Sequence, residues 1–126
     1  MGIIQFVVNF ARRTQSTQST QSSQSTNMII FNDTIIVEES VHQQWLKWMQ
    51  EVYIPKVMET GHFKSHQILN VIDSPNEGVT YCIQYNAENL GEFNRFYTNH
   101  LHRLQAMHNN EFKDKFVIFN TLMQTV

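Results

Sequence analysis

Six histidines and one cysteine are the side chains of this 126-residue chain best suited to chemistry. His100, His102 and His108 fall in one predicted helix. A zinc site needs three or four ligands converging on one point. His100 and His108 are two turns apart, about 12 Å at 1.5 Å per residue, and His102 points roughly opposite. The three cannot share a metal, and no metal site is expected. His100 and His108, within or beside the helix's apolar stripe, read instead as partly buried histidines hydrogen-bonded at the seam between a helix and a sheet. His62 lies in a turn and is given no role. Cys82 sits in a predicted strand, where a lone cysteine behaves as a small hydrophobe. His66 is expected on the same sheet face but several residues away, and no third group orients it, so a Cys–His nucleophile is disfavoured.

The elements that must position these residues follow from periodicity. Met28 to Glu38 alternates as a strand, with Ile29, Phe31, Ile35 and Val37 on one face. Asp33 interrupts that apolar face and is expected to be paired, or to lie near the strand's exposed end. Ser40 with Gln43 spells a capping box. Val41, Trp45, Trp48, Met49 and Val52 then make one helical stripe, which assigns both tryptophans to the core. Pro55 predicts a break or kink near Ile54, with a short continuation beyond it. Gly61 predicts a left-handed stop. Phe63 to Asp73 and Val79 to Ala87 read as strands joined through Ser74-Pro75-Asn76-Glu77-Gly78. Asn89, with Glu92, starts a second helix whose stripe is Phe93, Phe96, Tyr97, Leu101, Leu104 and Met107. Phe116 to Met123 is the last strand. The order β-α-β-β-α-β predicts an α+β, ferredoxin-like fold, with two helices on one face of a four-stranded antiparallel sheet.

That architecture leaves one sheet face uncovered. Pairing Ile72 near Thr80 would gather the even-numbered residues of the two central hairpin strands on it. Asn32, Thr34, His66, Cys82 and Gln84 are then the candidate interior residues. A mixed face of this kind is expected where two sheets meet across a two-fold axis. The expected partner is a second copy of the chain, in a dimeric α/β barrel whose interior could take a small apolar or amphipathic ligand. No residue is assigned a catalytic role, and no cofactor is expected.

Residues 1–27 read differently. Thr14 to Thr26 is nearly pure Gln, Ser and Thr, with nothing apolar to bury, and disorder is expected. Arg12 and Arg13 follow the short apolar stretch instead of preceding it, the wrong polarity for a secretory signal. The head reads as an upstream extension, with Met28 as the natural start. An arginine-containing, acid-free transit peptide is the alternative. Residues 28–126 form the single expected domain.

Composition narrows the partners. A formal net charge of −2 and a pI near 6.3 argue against nucleic acid. The third strand carries neither the exposed aromatics nor the basic word of an RNA-binding sheet. Four scattered glycines make no phosphate loop. No apolar run approaches the ~20 residues of a membrane helix. One cysteine fits a reducing, cytoplasmic setting.

Met28 to Ile35, Trp45-Leu46-Lys47-Trp48-Met49, Ile54-Pro55, Thr60-Gly61-His62-Phe63, Val79-Thr80-Tyr81 with Gln84-Tyr85, and His100 with His108 together carry a resemblance. From Met28 onward the chain resembles an uncharacterised bacterial domain-of-unknown-function family, mostly from Bacteroidetes. That family is similar to the dimeric α/β-barrel superfamily, which holds cofactor-free monooxygenases, haem-degrading enzymes and non-catalytic binding modules. The resemblance implies fold and dimer, not a reaction. A cofactor-free oxygenase using the interior as a pocket is the enzymatic alternative. A porphyrin framed by Asn32 and a tryptophan is disfavoured, because the tryptophans lie on the core stripe. Tyr53 stands where the relatives usually have histidine, and Lys56 where an acid is usual.

Overall fold

A computed structural model describes residues 3–5 and 27–126. The first element is a short strand, β1 (Ile3–Gln5). The expected disorder of the head falls otherwise on residues outside those described. From residue 28 the predicted order is met. β2 (Ile29–Val37) leads into helix α1, residues 42–59, through a 3-10 turn at Glu39–Val41. β3 (Ser65–Asn70) and β4 (Val79–Ala87) form the hairpin. Helix α2, residues 90–111, and β5 (Phe116–Gln124) complete the domain. The sheet order is β1-β5-β2-β4-β3. β5, β2, β4 and β3 pair antiparallel, the ferredoxin-like arrangement, and β1 adds a parallel edge beside β5.

The core lies between the helices and one sheet face. Ile29, Phe31, Ile35 and Val37 of β2 are buried there with Tyr81, Ile83 and Tyr85 of β4. Trp45 and Met49 of α1 and Phe93, Phe96 and Leu104 of α2 close over them. Each such side chain contributes about 1.5–3 kcal/mol of burial. Trp48 is half-buried, with its ring on Phe112 and Tyr53.

Proline does not break α1. The helix runs through it by widening to a π-helical turn, Met49–Tyr53, between α-helical His42–Trp48 and Ile54–Glu59. The Ile54 N–H bonds the Met49 carbonyl, one residue further back than in an α-helix. The turn has a second effect. Trp45, Met49, Tyr53 and Val57 recur every fourth residue and all are buried. At 3.6 residues per turn that spacing drifts by about 40° each step. The wider turn removes the drift and keeps all four on the sheet. A second π-helical turn, Tyr97–Leu101, does the same in α2 and brings Leu101 onto the stripe of Phe93 and Phe96.

Two local expectations are corrected. Ser40 caps nothing: its hydroxyl reaches Glu38 Oε1 at 3.5 Å, and the α-helical part of α1 starts at His42 without a side-chain cap. The hairpin register is shifted by one. Leu69 pairs with Cys82, and Val71 donates its N–H to the Thr80 carbonyl, so Ile72 is not opposite Thr80. Asp73 takes φ 58°, which turns the chain one residue earlier than the composition suggests. Because side chains alternate, a one-residue slip moves the whole strand's pattern to the other face. Ser65, Gln67 and Leu69 join the open face, while His66 and Ile68 turn to the helix side.

Asn89 caps α2 as expected, its Oδ1 accepting the Glu92 N–H at 2.9 Å. Gly61 ends α1 at φ 81°. Gly78 has φ 92°, and a Cβ there would stand 2.5 Å from the Val37 carbonyl oxygen. Gly78→Ala is therefore expected to cost about 2 kcal/mol or more from the backbone strain and the clash. An unchanged urea midpoint would contradict this.

Candidate functional site

The open face is built by every second residue of four strands. Register places Gln67, Gln84, Asn32 and Thr121 in one row across the sheet. Leu69, Cys82, Thr34 and Phe119 form the next row. Ile30, Ile36, Val117 and Met123 flank the rows along β2 and β5. Of the five residues expected to line an interior, Asn32, Thr34, Cys82 and Gln84 are together here. His66 is not among them; it pairs with Tyr85 on the helix side, at the sheet edge, and is exposed.

Three amides of the row are linked to one another and to Thr34. Gln67 Nε2 donates to Gln84 Oε1 at 3.1 Å. Gln84 Nε2 donates to Asn32 Oδ1 at 3.2 Å. Asn32 Nδ2 donates to Thr34 Oγ1 at 2.9 Å, and that hydroxyl lies 3.5 Å from Cys82 Sγ. The chain of amides is neutral. No strand residue on this face carries a charge.

A second polar group lies on the opposite side of the sheet, in the core. Asp33 is 4% exposed, between Phe31 and Ile35. Its Oδ1 accepts a hydrogen bond from Asn120 Nδ2, directly across on β5. Gln105 of α2 donates to Asn120 Oδ1 at 3.3 Å. Burial raises the Asp33 carboxyl to about 7, against the opposing pull of the Asn120 bond. Tyr53 of α1 and Tyr85 of β4 are buried nearby, and both hydroxyls are pushed up by burial and by the Asp33 charge. The Tyr85 hydroxyl is buried without a hydrogen-bond partner among the described residues.

His108 belongs to the same seam. It is 2% exposed and stacks on Phe116 with ring centroids 3.9 Å apart. Trp45 Nε1 donates to His108 Nε2 at 2.9 Å, so Nε2 is bare and the proton sits on Nδ1. Burial lowers its pKa to about 3. The expected seam histidine is thus found at His108. His100 stays near the surface, its Nδ1 2.9 Å from Arg103 Nη2. His62 hydrogen-bonds Glu92 at 2.9 Å and lowers that carboxyl. Asn120 belongs to no motif, and Tyr85 only to one that carries the family resemblance. Only the core-facing position of Asp33 signalled that a polar partner was needed.

Among the described residues, no group of three or more His, Cys, Asp or Glu could hold a metal ion. No helix among them is long and apolar enough to cross a membrane. A cleft of about 630 Å³ opens at the end of the sheet beside Glu38, Glu77, Gly78 and Lys115. None of the candidate interior residues lines it.

Residues 28–126 match the family described as Domain of unknown function (DUF4286). The chain belongs to that family. No chemistry is demonstrated for a DUF4286 domain by this match, and no curated protein matches the chain. Three solved structures share the fold of this DUF4286 domain. A conserved protein of unknown function from Bacteroides thetaiotaomicron VPI-5482, described as a possible oxidoreductase, is 9% identical with a TM-score of 0.58. The match covers 79% of this chain and 99% of that one. A dimeric ferredoxin-like protein from an uncultured marine organism is 8% identical with a TM-score of 0.56, over 79% of this chain and 95% of its own. An ethyl tert-butyl ether d (ethd) family protein from Bacillus halodurans C-125 is 9% identical with a TM-score of 0.54, over 78% and 97%. At such identities the likeness carries the fold alone.

Proposed function

We propose that this domain works as a homodimer, with the open sheet face of one copy packed on that of the other. The observation that carries the reading is the uncharged face with its linked amide row. A polar group buried without a partner costs about 1–3 kcal/mol. Here Gln67, Gln84, Asn32 and Thr34 already bond one another, so a second sheet covering them leaves fewer polar groups unpaired. The apolar flank of Ile30, Ile36, Val117, Phe119 and Met123 supplies the driving force. A two-fold axis makes the patch meet itself, which a neutral surface permits and a charged one resists. The dimeric description of the ferredoxin-like relative from the marine organism supports the same reading.

In this arrangement Asn32, Thr34, Cys82 and Gln84 of both copies line a small neutral interior suited to a small apolar or amphipathic ligand. The domain is then a binding or interaction module. The alternative is a cofactor-free oxygenase using the same interior as its pocket; His66, which would have favoured it, lies on the other side of the sheet. Light scattering on the eluting full chain should give the dimer mass at micromolar concentration. Thr34→Arg buries an unpaired charge on the axis and should weaken association about 100-fold. A monomeric wild type would end the dimer reading. Native mass spectrometry of protein from its own host, showing dimer mass with no retained ligand, would leave only the interaction role.

A further inference from the structure

We propose that the core of this domain is a proton-binding site at Asp33, and that losing the proton loosens the π-helical turn of α1 above it. The argument starts from the missing counter-charge. Asp33 lies in an apolar layer, with Ile83 opposite on β4 and Asn120 opposite on β5. The groups facing it are Tyr53 from α1, Tyr85 from β4, Asn120 from β5 and, through Asn120, Gln105 from α2. His108 of α2 lies against the ring of Tyr53, with centroids 5.3 Å apart. None is a lysine or arginine. A carboxylate without a cation in such a place is strongly disfavoured, and a neutral acid is the form the site accepts. The raised Asp33 carboxyl, about 7, agrees with that geometry.

The site is also arranged to respond when the proton leaves. A new carboxylate needs donors, and the nearby buried hydroxyls are those of Tyr53 and Tyr85. Tyr85 has no hydrogen-bond partner among the described residues, so its hydroxyl is uncommitted. Tyr53 ends the Met49–Tyr53 π-helical turn, where the backbone already departs from α-helical bonding. Recruiting these hydroxyls, or admitting water to the charge, disturbs that turn before it disturbs the strands.

The chain has three aspartates, Asp33, Asp73 and Asp114, and the last two are exposed. Carbon-13 NMR of aspartate-labelled full chain between pH 4 and 9 should show one of the three carboxyls titrating above pH 6. Asp33→Asn should delete that signal. If this variant does not fold, Asp73→Asn and Asp114→Asn assign the other two by elimination. Hydrogen exchange, corrected for intrinsic rates, should be at least tenfold faster for amides 49–57 at pH 8 than at pH 5.5. Asp73→Asn should leave that ratio unchanged. Three carboxyls all titrating below pH 5 would overturn the proposal. So would protection of 49–57 that does not change while Asp33 titrates.

Discussion

Replacing His108 with alanine should destabilise the folded domain by about 3–5 kcal/mol, read from urea unfolding at pH 7.5. Two losses add. The imidazole fills a slot between Phe116, Trp48 and Tyr53, so its removal leaves a cavity walled by aromatic rings. It also accepts the Trp45 indole N–H, and Trp45 is fully buried, so that donor is left unpaired. His108→Phe separates the two terms. It keeps a ring on Phe116 and orphans only the indole, at a cost of about 1–3 kcal/mol. Pairing His108→Phe with Trp45→Phe removes both polar partners and should cost less than the two single changes summed. A His108→Ala variant within about 1 kcal/mol of wild type would show that the stack and the bond are not holding the seam.

His108 also shows what could be read in the chain. Its place on the apolar stripe, one helix from the sheet, was enough to expect a hydrogen-bonded histidine at the seam. Its partner was not legible, because Trp45 is distant in sequence and joins it only through packing. The strands were legible where alternation is strict, as in β2 and β4. β3 was not, because Ile68 and Leu69 are both apolar and either parity gives a plausible core face. The turn decided between them, and Asp73 in a left-handed conformation moved the register by one. That single residue separates His66 from the candidate interior while leaving Asn32, Thr34, Cys82 and Gln84 in place. The π-helical turns were hidden for a related reason. A stripe at Trp45, Met49, Tyr53 and Val57 looks irregular against a 3.6-residue period and regular only once the helix widens ahead of Pro55.

Replacing Asp33 with asparagine should stabilise the domain at pH 8, by up to about 4 kcal/mol, and change it little at pH 3.5. The sign follows from where the proton is held. The Asp33 carboxyl is raised from 3.8 to about 7 on folding. Between those values the folded state holds a proton that the unfolded chain has released. Its stability is therefore full below pH 3.8 and is lost as pH rises through 7. Asparagine keeps the acceptor for Asn120 and removes the titration. His108 slopes the other way. Its pKa is lowered from 6.5 to about 3, so its stability is full above 6.5 and is lost as pH falls through 3. Burial is the main cause of each shift, and neither residue perturbs the other. From pH 3.8 to 6.5 the two slopes oppose and nearly cancel, so these groups leave the wild type almost indifferent to acid in that range. Asp33→Asn unmasks the histidine, and its unfolding midpoint should climb steadily from pH 4 to 6.5 and then level. The gap between variant and wild type should open over the same window and be largest above pH 7. A gap of equal size at pH 4 and pH 8 would mean that Asp33 enters the fold as a charge, with a partner that supports it.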